Sequence, residues 1–306
     1  MQTVEEVGNR LQKALFESDN KENEVMEIAL NHNNEFRVNV SNYYQISFGR
    51  DLQEDLKKNL GGNFRDVICD LFLDPVSFDV NLLKKAFKGF TGDPNIVMEI
   101  LTSRPKEMIE KIKELYKNQV GKDLQKEIEK NFTSTLKKCL LSLLNTNRNE
   151  NHNPDKEECE RCAKILESVK EENKWCSDEK IFNSIWAKKS PEELLCIGRY
   201  YYKHTGNILI DVIEAKVDGK MKDILKEILY NNINPSELFA EKVYLAIKGL
   251  GTNTPLLNRV LVSRNEIDMT KIREIYRWKY KVEMKEDIIG DTSGIYQTLL
   301  VYLGEK

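Results

Sequence analysis

The sequence predicts an all-α protein of four repeats, each of about five short helices, and three observations predict it. First, the pair Ser263-Arg264 returns in matching frames as Ser103-Arg104, Lys188-Lys189 and Asn31-His32, whose second members lie 72, 85 and 75 residues apart. Self-similarity at a near-constant period marks one unit copied along a chain. Second, apolar residues recur at helical spacing: Leu256, Leu257, Val260 and Leu261 make one stripe, Ile272, Ile275 and Tyr276 another, and Tyr296, Leu299 and Leu300 a third. Such stripes form a core rather than a site. Third, only 7 prolines and 15 glycines interrupt 306 residues, and strand signals are almost absent.

The elements follow in order. Residues 1–74 make the first repeat, with the most altered frame, LQKALFESDNKENEVMEIAL. Residues 75–144 make the second, where AFKGFTGDPNIVMEILTSRPKEMIEKIKELY runs parallel to AIKGLGTNTPLLNRVLVSRNEIDMTKIREIY of the fourth. Residues 145–158 (NTNRNENHNPDKEE) are polar and lack periodicity, so they read as a linker between two halves of two repeats each. Residues 159–234 make the third repeat and 235–306 the fourth.

Composition excludes several classes. Apolar residues are 40% and charged residues 32%, as in a folded globular chain. The net charge is −3, with Lys+Arg 47 against Asp+Glu 50, which lacks the basic excess of a nucleic-acid binder. No apolar run approaches the roughly 20 residues of a membrane-spanning helix. The N-terminus MQTVEEVGNRLQKALFE is acidic and amphipathic, unlike a signal peptide, so the expected location is the cytoplasm. The six cysteines are then reduced. Cys159 and Cys162, with His152 upstream, lack the second close pair of a zinc site and read as two thiols on one helix. The three histidines lie in degenerate or linker segments, and no nucleophile motif or phosphate loop occurs, so no enzyme is expected.

The most informative segment is Ile247-Lys248-Gly249-Leu250-Gly251-Thr252, followed by Asp291 in Gly290-Asp291-Thr292-Ser293-Gly294. A loop with two glycines can turn its carbonyl oxygens toward a cation. A hard cation such as calcium takes six to eight oxygens, and carbonyls bring no charge, so a carboxylate must arrive from elsewhere. Asp291 is the candidate. The same residues also suit a helix C-terminus with its turn and an N-cap for the next helix.

The string IKGLGTNTPLLNRVLVSRNEIDMTKIREIYRWKY…IIGDTSGIYQTLLVYLG resembles the annexin repeat almost position by position, and the start of the chain, GRDLQEDLKKNLGGNFRDVICDLF, resembles the divergent protist annexins, the alpha-giardins. The resemblance implies a curved disc of four five-helix repeats with calcium loops on its convex face. It implies calcium ligands at the carbonyls of Ile247, Gly249 and Gly251 and the carboxylate of Asp291. Weaker counterparts in the second repeat are Phe87, Gly89, Thr91 and Asn131, the last a neutral side chain. In the third repeat Lys174-Trp175-Cys176-Ser177-Asp178-Glu179 resembles the family's KWGTDE loop, with Cys176 for glycine and Lys216 at the acid position, so that site is expected to be lost. The first repeat has Glu17-Ser18-Asp19 in place of a glycine loop and Asn59 in place of the acid.

The loop-tip residues Leu250, Phe90 and Trp175, with Lys248, are the expected membrane contacts, and burial against a neighbouring helix is the alternative for the apolar ones. Asp79, Glu99, Arg104, Arg259 and Asp268 match the charged residues that line the hydrophilic centre between the halves of the annexin disc, where a mixed-sign cluster fixes their angle. The expected function is calcium-dependent binding to acidic phospholipid at the inner face of the plasma membrane. It would be carried out by a solution monomer that can assemble on the membrane and link it to the cytoskeleton. The alternative is a calcium-independent structural protein of cytoskeleton or flagella, or a binder of acidic polysaccharide.

Overall fold

The computed structural model describes residues 2–89, 92–149, 152–169, 171–249 and 251–306, and the described residues are helical, without strands. The fourth repeat shows the unit plainly: helices Pro235–Ile247, Thr254–Arg264, Met269–Tyr280, Met284–Asp291 and Gly294–Glu305. The first repeat repeats this plan with Val4–Glu17, Lys21–Asn31, Asn34–Phe48, Leu52–Asn59 and Gly62–Leu71. The second has Pro75–Ala86, Pro94–Ser103, Lys106–Val120, Leu124–Asn131 and Ser134–Asn145.

Local chemistry sets these boundaries. Asp93 and Asn253 cap the second helix of their repeats, accepting from the amides of Asn95 and Leu256, with a proline in the first turn of each. The third helix ends in a left-handed residue in every repeat: Gly49, Gly121 and Gly206, but Lys281 (φ 61°) in the fourth.

The third repeat departs from the plan. Helices Lys156–Ser168, Pro191–Thr205, Leu209–Lys216 and Gly219–Ile233 hold their places. Its second helix breaks into short Lys174–Ser177 and Glu179–Ile181 and a π-helical segment, Phe182–Ala187. The wide turn seats Trp186 beside Trp175, ring centroids 6.1 Å apart, and Tyr201 meets Trp175 edge-on at 6.0 Å.

The compact units do not follow the division at the linker. One unit is Met1–Phe78 with Ser236–Lys306, joining the first and fourth repeats; the other is Asp79–Pro235, joining the second and third. In the first unit, helix Gly294–Glu305 packs on Lys21–Asn31 and Gly62–Leu71. The stripe residues Leu257, Val260, Leu261, Ile272, Tyr276, Leu299 and Leu300 are fully buried there. Arg37 ties the repeats together. It is 2% exposed, donates to Leu71 O at 2.7 Å, Ala29 O at 3.0 Å and His32 O, and pairs with Glu266 at 2.8 Å. In the second unit, helix Gly219–Ile233 packs on Pro94–Ser103, and Lys156–Ser168 pairs with Pro191–Thr205. Among the described residues no helix is long and apolar enough to cross a membrane.

Candidate metal centre

The loop after helix Pro235–Ile247 is closed by the Asn253 amide donating to Ala246 O at 2.7 Å. Gly251 takes φ +82°, a conformation that a side chain would strain, and its carbonyl oxygen lies 3.8 Å from where a Cβ on Gly249 would stand. Ile247 O accepts the Gly249 amide at 3.1 Å and keeps a second lone pair.

Asp291 comes to this loop from the end of helix Met284–Asp291. The Thr252 hydroxyl donates to Asp291 Oδ2 at 2.5 Å and approaches its carbonyl at 3.0 Å. Asp291 Oδ1 has no hydrogen-bond partner among the described residues. One turn earlier, Asp287 takes the Tyr276 hydroxyl at 2.6 Å and Lys248 Nζ at 2.7 Å. Burial first, and the bond to Asp287 second, raise the Tyr276 hydroxyl above its usual range. Lys248, an expected lipid contact, is thus engaged with Asp287, which raises its pKa.

The donors present fit an oxygen-ligated divalent cation: loop carbonyls, one anionic oxygen without a donor, and no nitrogen or sulfur ligand. Among the described residues no group of three or more His, Cys, Asp or Glu side chains could hold a metal. An ion in this loop would therefore depend on backbone carbonyls.

The other repeats arrange the corresponding residues differently. In the second, the loop closes in the same way, Asp93 N to Ala86 O at 2.8 Å, and Gly89 has φ +117°. Phe87 packs its ring toward Tyr116 and Phe132. Gly92 stands where Thr252 stands, with the side chains of Asn131 and Phe132 close to where its Cβ would be, so that position offers no hydroxyl. Asn131 instead turns its amide back to Glu127 O at 2.8 Å. Asn59 in the first repeat does the same to Asp55 O at 2.9 Å. An amide can satisfy itself on its own helix; a carboxylate cannot, and remains open to the loop.

In the third repeat Lys216 pairs with Glu172 at 2.9 Å, and the Asn173 side chain accepts the Asp218 amide at 3.0 Å. Trp175 corrects the expectation of a membrane contact: it is fully buried, and its indole donates to Leu166 O at 3.2 Å. Its apolar ring and single donor suit a core pocket with one carbonyl as well as they suit a bilayer interface. Phe90, Thr91 and Leu250 lie outside the described residues.

Of the five charged residues, Asp79, Glu99 and Arg104 belong to one unit and Arg259 and Asp268 to the other. Arg104 forks onto Asp79 at 2.7 and 2.9 Å, with Glu99 buried nearby. Asp268 is held by Arg264 at 2.8 Å and Ser236 at 2.7 Å, and Arg259 is buried in that unit.

Sequence reasoning missed Thr252, Tyr276 and Asp287. A signal for two of them exists in the repeats themselves. Tyr44, Tyr116, Tyr201 and Tyr276 share one position, and Asp55, Glu127 and Asp287 share another, with Val212 the exception.

A family model described as Annexin matches residues 7–71, 78–143 and 238–303, passing over the third repeat. Human annexin A7 is 31% identical over 291 residues; the alignment covers 95% of this chain and 59% of that protein, so the chain spans well under two thirds of it. Among solved structures, annexin III superposes with a TM-score of 0.92 at 29% identity, covering 100% of this chain and 94% of that one. The calcium-bound structure of alpha-14 giardin superposes at 0.84 with 20% identity, covering 99% and 100%, a likeness of fold.

Proposed function

The chain belongs to the annexin family, and from that premise we propose that it attaches peripherally to acidic phospholipid membranes when calcium fills the loop of its fourth repeat. The observation that carries this is Asp291, joined to a glycine loop by the Thr252 hydroxyl, with its other carboxylate oxygen free of donors among the described residues. Bound calcium would keep open positions for lipid phosphate oxygens, so that metal and membrane complete each other's site. The carbonyls of Ile247, Gly249 and Gly251 and the Asp291 carboxylate hold the ion. Thr252 aims the carboxylate, and Asp287, fixed by Tyr276 and Lys248, keeps the helix end in place.

One complete site of four gives weak attachment, because linked contacts multiply and here only one counts. Lysines near the surface would add roughly 1 kcal/mol each on an anionic bilayer. A second reading is attachment to a cytoskeletal partner without calcium. It draws on the Lys216–Glu172 pair, which supplies the third loop with a cation of its own. Sedimentation with phosphatidylserine vesicles across a calcium series tests both. Pelleting that requires calcium and is reversed by EGTA supports the first reading; pelleting indifferent to calcium supports the second.

A further inference from the structure

Within the Asp79–Pro235 unit lies a cavity of about 430 Å³ with no part in the calcium loops. The linker after helix Ser134–Asn145 forms one wall, held by the Asn149 amide on Lys188 O at 2.7 Å and the Asn149 side chain on Glu193 at 3.1 Å. This pins Arg148 into the cavity.

Arg148 differs from other enclosed arginines of the chain. Arg37, Arg104 and Arg264 each pair with a carboxylate. Arg148 has no carboxylate partner among the described residues; its Nη2 reaches only Trp186 O at 3.4 Å, and its Nη1 is shielded from solvent with no hydrogen bond. Burial pushes its pKa down to about 10, so the charge is held at a cost no neighbour offsets. The other cations on the cavity wall are better matched: Arg104 holds Asp79, and Lys106 holds Glu110 at 2.7 Å. Among the described residues two acceptors in the same cavity have no partner, Glu192 Oε2 and Asn231 Oδ1. Glu192 Oε1 meets His152 at 2.9 Å.

We propose that this cavity binds a small hydroxylated anion, with the Arg148 guanidinium taking a phosphate or carboxylate group and Glu192 and Asn231 taking the ligand's hydroxyls. The planar guanidinium fork matches such an oxyanion. An unpaired donor and two unpaired acceptors lining one cavity need a ligand with both kinds of group. A bare anion would leave the acceptors empty, and a neutral sugar would leave the charge unpaired. The volume suits a molecule of monosaccharide size.

The test is a thermal-shift and calorimetric titration of the full chain in calcium-free buffer with glucose 6-phosphate, gluconate, inorganic phosphate and glucose. Glucose 6-phosphate or gluconate should raise the melting temperature and bind about ten-fold more tightly than inorganic phosphate, and glucose should not bind. Arg148→Met should abolish the effect, and Arg148→Lys should keep part of it, a control that holds should the methionine variant unfold. Glu192→Gln should preserve phosphate binding while narrowing the gap between glucose 6-phosphate and phosphate. Sedimentation with phosphatidylinositol vesicles in EGTA separates the sources: pelleting lost in Arg148→Met and reduced in Arg148→Lys assigns the site to a lipid headgroup, and binding of the soluble probes alone assigns it to a free metabolite. No binding of any probe by the wild-type chain, or equal binding by both Arg148 variants, would overturn the proposal.

Discussion

Thr252 and Asp291 stand 2.5 Å apart, hydroxyl to carboxylate, at the mouth of the fourth repeat's loop, and the corresponding residues of the second repeat, Gly92 and Asn131, make no such bond. The two loops therefore differ in the acid and in the hydroxyl that meets it, as well as in Thr91 at the position of Gly251. Thr252→Val keeps the shape and removes the donor. It should raise the calcium needed for half-maximal vesicle binding by roughly 3- to 10-fold, the net effect of one typical hydrogen bond. A calcium series in sedimentation reads this directly.

Restoring the acid alone should not restore the second site. Asn131→Asp leaves the carboxylate without the hydroxyl that Thr252 gives Asp291, because Gly92 stands at that position. Adding Gly92→Thr brings a Cβ to 2.9 Å from Phe132 Cζ, so the ring must shift. The double variant should lose about 1–3 kcal/mol in urea unfolding, the usual range for overpacking. Calorimetry should show no second calcium for Asn131→Asp alone.

Trp175 should act as a core residue. Trp175→Ala removes a fully buried indole and its bond to Leu166 O. It should cost about 3–5 kcal/mol of stability. Acrylamide should quench Trp278, which is 72% exposed, and spare Trp175 and Trp186.

Lys281 occupies the left-handed position that glycine fills in the other three repeats. Lys281→Gly should stabilise the chain by about 0.5–1 kcal/mol, since only the lysine pays for a positive φ. A rise in urea midpoint at constant slope checks it.

Glu158 gives a pH signature. Hydrogen bonding to Arg161 first, and to Lys189 after it, holds its carboxyl down to about 2 from an ordinary 4.5. A depressed carboxylate stabilises the fold above its unfolded pKa and loses that contribution as pH falls through the folded one. Arg161, the first of these partners, is exposed, and solvent screening keeps the contribution of that pair below about 1 kcal/mol. Glu158→Gln should be less stable than wild type at pH 7, and the gap should close between about pH 4.5 and pH 2 in urea unfolding.

The helical repeats were legible because each stripe falls at a spacing only a helix explains, and Leu257, Val260, Ile272 and Leu300 are buried as that spacing requires. The loop and Asp291 were legible from glycine and charge. The grouping of the first repeat with the fourth was not, because Arg37 and Glu266 lie 229 positions apart and neither differs locally from a surface charge. Nor was the fate of Trp175, whose ring satisfies a core and a bilayer equally. Thr252 is an ordinary residue in a turn, and only the position of Asp291 in space gives its hydroxyl a task.

The most direct measurement is sedimentation of wild type and Asp291→Ala side by side with phosphatidylserine vesicles across a calcium series. The fourth-repeat site predicts that wild type pellets only with calcium and that the variant, with an unchanged melting temperature in EGTA, stays in the supernatant at the same concentrations. Calcium-dependent pelleting of Asp291→Ala equal to wild type would contradict it.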